Sequence, residues 1–159
     1  LRAEQVGIPV ALVPLVMVAM NLVYAACAYP FGKLSDRVSH TRLLAWGLAV
    51  LVVSDVLLAT AQHWGMVLAG VAVWGIHMGM TQGLLSTMVA NTAPPGLRGT
   101  AYGVFNLVSG IAMLAASATA GLLWDAYGSS MTFWAGGGFA LLCLVGLLST
   151  RRNLSVASS

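Results

Sequence analysis

Charge is scarce in this sequence. Of its 159 residues, 7% are Asp, Glu, Lys or Arg, while 59% are hydrophobic. A soluble domain carries about 25% charged residues, because its surface must face water. A chain this poor in charge cannot coat a water-soluble globule, so hydrocarbon is the expected solvent for most of its outside. Cysteine is nearly absent as well. Cys27 and Cys143 sit inside apolar runs, match no metal-ligand spacing and read as small packing residues rather than a disulfide. His40, His63 and His77 lie in separate segments, no Gly-rich phosphate loop precedes a Lys, and nothing places a nucleophile beside a base. The expectation is no catalysis, no bound metal and no cofactor. The net charge of +3 comes from cations scattered among apolar runs, which is not the clustered patch that nucleic acid requires. The chain opens on Leu1 without a basic stretch and a short apolar core, so no signal peptide is expected and the start reads as a truncation.

What is present is long apolar runs. A spanning helix needs about 20 mostly apolar residues to cross ~30 Å of hydrocarbon. Five segments qualify, at 8–31, 43–61, 65–90, 101–124 and 131–149. The breaks read GKLSDRVSHTR, QHW, NTAPPGLRGT and DAYGSS, all rich in breakers or polar residues. No segment alternates polar and apolar residues as a barrel strand does. The expected fold is all-α, a polytopic membrane helix bundle filling 1–150, with 151–159 as a cytoplasmic tail.

Lys and Arg set the orientation, since cytoplasmic loops are enriched in them. Lys33, Arg37 and Arg42 follow the first segment, Arg98 follows the third, and Arg151 and Arg152 follow the fifth. If each segment spans once, all of these fall on one side and Arg2 alone on the other. The expected C-terminus is cytoplasmic and the expected N-terminus external. An odd number of spans with an external start inserts poorly unaided, which points to helices upstream. A faint repeat runs through the chain: Asn21-Leu22-Val23 with Gly32 and Asp36 in the first segment, Asn106-Leu107-Val108 with Gly121 and Asp125 in the fourth.

Gly32-Lys33-Leu34-Ser35-Asp36-Arg37, followed by Arg42 and Leu43, resembles the cytoplasmic loop signature of the major facilitator superfamily. Ser39, His40 and Thr41 stand where that family more often has Gly and two basic residues, as in the weaker copy of the C-terminal half. Pro95-Gly96-Leu97-Arg98-Gly99-Thr100-Ala101-Tyr102-Gly103 is similar to the family's loop entering its eleventh helix. The resemblance covers essentially the whole chain and implies helices eight to twelve of a transporter built from two six-helix halves, with the N-terminal half and one further helix missing. It also implies a conformational latch made of Gly32, Asp36, Arg37, Arg42 and Arg98, against which stands plain anchoring at the membrane interface.

Polar residues inside spans are costly and usually face the protein interior. In the third segment Ala72, Gly75, Gly79, Gly83 and Ser86 share one narrow ridge, which lets another helix approach closely. The opposite side carries Trp74, His77 and Thr81, with Met78 beside them and Gln82 at the margin. That face reads either as a substrate pathway or as a His satisfied by a neighbouring helix. Asn21 and Tyr24 in the first segment and Asn106 in the fourth read as pathway residues or as clasps between helices. Asp55 has only apolar helical neighbours, so it is protonated, hydrogen-bonded to another helix, or part of a proton relay. The Gly136-Gly137-Gly138 run reads as tight packing or local flexibility.

The expected function is secondary transport of a small solute by alternating access, driven by the solute gradient or by protons, in a cell membrane read as the bacterial inner membrane. The low charge argues against a strongly ionic solute for this portion. A non-transporting membrane scaffold is the competing expectation.

Overall fold

The computed structural model describes residues 2–157, with side chains described for residues 3–4 and 6–150. A short helix, α1 (Arg2–Gln5), and a 3₁₀ turn (Val10–Leu12) lead into five long helices. These are α2 (Val13–Ser35), α3 (His40–Thr60), α4 (Trp64–Thr92), α5 (Arg98–Tyr127) and α6 (Ser129–Ala157). Each is long and apolar enough to cross a membrane, α2 together with the turn before it and α6 over Ser129–Thr150. All five expected spans are therefore present, and the described residues form no strand.

The helices outrun the apolar runs that announced them. Gly32 to Ser35, expected as a break, form the last turn of α2. Arg98 to Thr100, also expected as loop, open α5. Polar side chains end a hydrophobic stretch but not a helix; at the water interface they are solvated while backbone bonding continues. The real stops are conformational. Ala93 lies before Pro94 and adopts extended backbone, ψ 134, because the proline ring disfavours the helical region for its predecessor. Gly128 separates α5 from α6 with φ 83, a left-handed conformation in which a side chain is strained. His63 caps α4, its Nδ1 accepting from the Met66 amide at 3.4 Å. The tail expected at 151–159 continues α6 as helix to Ala157. Its arginines, Arg151 and Arg152, and likewise Arg2, have side chains outside the described residues.

Hydrocarbon offers no hydrophobic drive between helices, so close packing and polar clasps must hold the bundle. Helix α4 is its centre. On one side a Cβ added to Gly75 would stand 2.7 Å from the Met20 carbonyl oxygen, and one on Gly79 would stand 2.7 Å from the Cys27 Cβ. Both glycines bring α2 to backbone contact, and Cys27 fills the role of small packing residue. On the other side Gly70 abuts Leu58, where an added Cβ would lie 2.7 Å from its Cγ. The Ser54 hydroxyl, fully buried, donates to the Gly70 carbonyl at 2.9 Å, and His77 bonds the Gly47 carbonyl at 2.8 Å. These clasps are seven residues apart on each helix and run in opposite directions. They fix an antiparallel α3–α4 seam over about two turns.

Helix α3 also packs on α6. Asp55 is only 6% exposed and lies against Gly136 and Gly137, where added Cβ atoms would stand 3.2 Å from its Oδ2 and its Cβ. The glycine run is thus a packing surface at its first two members; nothing approaches Gly138. Two apolar clusters close the ends of the seam, Ala3, Leu58, Ala61 and Val67 at one and Leu43, Met80 and Leu84 at the other. Helix α5 is different: none of its residues is buried. The Tyr102 hydroxyl donates to the Ser86 carbonyl at 2.8 Å and ties it to α4, and the Thr132 hydroxyl donates to the Ala120 carbonyl at 3.4 Å and ties it to α6.

Candidate functional site

Helices α2 and α4 touch at Gly75 and Gly79 and then part. One turn past Gly79, a Cβ on Gly83 would meet nothing within 4 Å. On α2 the parting comes beside Pro30, which lacks an N–H and leaves the Ala26 carbonyl without its helical donor. Between the diverging ends lies a cavity of about 300 Å³ at the end that carries Lys33, Arg37, Arg42 and Arg98. Tyr24, Phe31, Ser35 and Asp36 of α2 and its end line one wall. Met80, Leu84 and Thr87 line the other, with Gly83 at the floor.

The polar groups in this cavity have a definite sense. Ser35 donates its hydroxyl proton to the Gly32 carbonyl at 2.6 Å, and Thr87 donates to the Gly83 carbonyl at 2.9 Å. Both oxygens are left as acceptors. Asp36 adds a carboxylate, and no Lys, Arg or His is among the described residues lining the space.

The structure sorts the residues singled out by sequence into three groups. Tyr24, Gly32 and Asp36 come together in the cavity, joining one expected pathway residue to two expected latch residues. Trp74, His77 and Thr81 face the α3 side of α4. Trp74 packs on the Ala3–Leu58–Ala61–Val67 cluster. The Thr81 hydroxyl donates to the His77 carbonyl at 3.0 Å, and its methyl occupies the space beside Gly47. A carbonyl can only accept, so the contact with Gly47 places the His77 proton on Nδ1. Asn21, Gln82, Asn106, Arg37, Arg42 and Arg98 are exposed and lie outside both the cavity lining and the α3–α4 clasps. The Asn21 amide donates to the Met17 carbonyl of its own helix at 2.8 Å.

Asp55 stands apart, in the α3–α6 seam rather than beside His77. No group of three or more potential ligands that could hold a metal is found among the described residues. Sequence reasoning passed over Ser35 and Thr87 in the cavity and Ser54, Gly47 and Gly70 in the seam. The seam had a legible signal: Gly47 and Ser54, seven residues apart, put two small residues on one stripe of α3.

Five helices long and apolar enough to span a bilayer, packed through small-residue seams and a few polar clasps, define a multi-pass membrane protein. The chain belongs to the Major Facilitator Superfamily, whose family model matches residues 1–158. It is 30% identical over 135 residues to an uncharacterized MFS-type transporter of Methanocaldococcus jannaschii, covering 85% of this chain and 33% of that protein. It is 33% identical over 115 residues to an uncharacterized protein of Mycobacterium tuberculosis, covering 72% of this chain and 28% of the relative. A Major facilitator superfamily multidrug transporter of Aspergillus fumigatus is 31% identical over 91 residues, 57% of this chain and 18% of its own length. The chain thus spans a third or less of each of these relatives.

Proposed function

We propose that the chain is helices eight to twelve of a secondary transporter that moves a small solute by alternating access. The observation that carries this reading is the family match over residues 1–158, together with five helices long enough to span a membrane. Spanning a third or less of its transporter relatives fits a chain that works with further helices, including an N-terminal half. The basic end, with Lys33, Arg37, Arg42 and Arg98, is cytoplasmic, by the bias of cations toward that side. The membrane is the bacterial inner membrane.

The cavity between α2 and α4 is one wall of the pathway, with Tyr24 inside it and Asn21, Gln82 and Asn106 on exposed surfaces that the opposing half would complete. Trp74, His77 and Thr81 set the position of α4 through its seam with α3. Gly32, Asp36, Arg37, Arg42 and Arg98 act as a latch at the cytoplasmic end, biasing one conformer over another. Asp55, as a carboxyl seated inside the bundle, is the residue that would carry a proton if transport is proton-driven.

The test is uptake and efflux of a solute panel by the full-length protein reconstituted in liposomes, with and without a pH gradient. Accumulation of no solute in either direction would remove the transport reading. Unchanged proton coupling in Asp55→Asn would remove Asp55 from the mechanism.

A further inference from the structure

We propose that the cavity between α2 and α4 binds a small organic ammonium ion bearing a single positive charge, with Asp36 as its counter-charge. The inference deepens the transport reading by naming a ligand class for the cytoplasmic end of the pathway. Three observations carry it. The first is polarity: Ser35 and Thr87 have spent their hydroxyl protons on backbone carbonyls, so with Asp36 they present acceptors alone. A ligand that satisfies them must donate, and a charged N–H donor forms the stronger kind of hydrogen bond with a carboxylate. Among the described residues no cationic side chain shares the lining, so a ligand cation meets no competing charge inside the cavity.

The second is the aromatic wall. Tyr24 and Phe31 line the same space, and ring faces attract ammonium groups, including those with no N–H to donate. The third is room. About 300 Å³ lies at the lower end of the volumes that hold small molecules, and it exists because Gly83 carries no side chain. Met80 and Leu84 supply an apolar surface for the ligand's hydrocarbon portion. An anion meets the Asp36 carboxylate and a single hydroxyl donor, that of Tyr24, and a metal ion finds a single carboxylate.

The experiment is equilibrium binding of radiolabelled benzylammonium to the purified full-length protein, competed by excess unlabelled probe. Ethylbenzene, its neutral isostere, serves as the control competitor. The expected result is saturable binding that ethylbenzene does not displace. Asp36→Asn should weaken it by about ten-fold or more, the scale of one lost charge-assisted contact, whereas Asp36→Glu should stay within about three-fold. Gly83→Leu should abolish binding by filling the floor, with Gly83→Ala giving a partial loss if the larger variant does not purify as a folded protein. Asp36→Asn binding as tightly as the parent, or Gly83→Leu leaving affinity unchanged, overturns the assignment. So does a folded protein with no saturable binding. Binding is read without turnover, so a protein that holds the probe but moves nothing defeats only the transport reading. A protein that transports solutes yet ignores the probe defeats only this inference.

Discussion

Ser54 and His77 do the same job from opposite helices, each bonding a backbone carbonyl across the α3–α4 seam. Carbonyls of helix interiors are already bonded, so these contacts add a second acceptance, and Gly70 and Gly47 expose their carbonyls by having no side chain to cover them. Ser54→Ala is expected to lower stability by about 0.6 kcal/mol, the average for polar contacts between membrane helices. Asn21→Ala should leave stability unchanged, because Asn21 bonds within its own turn and is exposed. Thermal unfolding of the full-length protein in detergent distinguishes the two, and equal effects would contradict this account of the seam. At this scale the sequence displayed one partner of each contact. His77 and Asp55 stand out as polar residues in apolar runs, whereas the groups they meet do not. A glycine carbonyl bears no signature in a string of residue names, and neither does the surface of Gly136 and Gly137 beneath Asp55.

Elements pack here through glycine, and position along a helix decides what each glycine is for. Gly75, Gly79 and Gly83 share one ridge of α4, which periodicity alone makes equivalent. Two of them hold α2 at backbone distance and the third borders open space. Gly75→Leu is therefore expected to cost about 1–3 kcal/mol, the range for overpacking a closed contact, while Gly83→Ala should be silent in thermal unfolding. Gly137→Leu should weaken the α3–α6 seam by a similar amount, since Asp55 already fills the space. Tolerance of Leu at both Gly75 and Gly137 would mean that these seams are looser than the distances state. The ridge was legible in advance. Where it stops being a seam was not, because the parting depends on the course of α2 past Pro30 relative to α4, a relation between two helices rather than a property of either sequence.

The whole molecule is a tight α2–α4–α3–α6 assembly with α5 held lightly at its side. The number of spans and their order followed from apolar run length, and that much of the fold needed no coordinates. The cavity did, because its lining joins residues 24–36 to residues 79–87, far apart in the chain. Arg42→Cys and Arg98→Cys, made singly in the full-length protein with its native thiols replaced, should both react with an impermeant maleimide only from the cytoplasmic side. Gln62→Cys, in the connection between α3 and α4, should react only from the other side. Labelling of residues 42 and 98 from opposite sides would rule out the proposed orientation.

Gly128 is the whole connection between α5 and α6. With one residue between them, the Tyr127 and Ser129 ends can never drift apart, however weakly the rest of α5 is gripped. Any displacement of α5 is therefore a swing about that corner, smallest at Tyr127 and growing along thirty residues to Arg98. Two torsions of one side-chain-free residue steer the arc, and its widest sweep falls at Arg98, on the face of the bilayer where α2 and α4 already stand open.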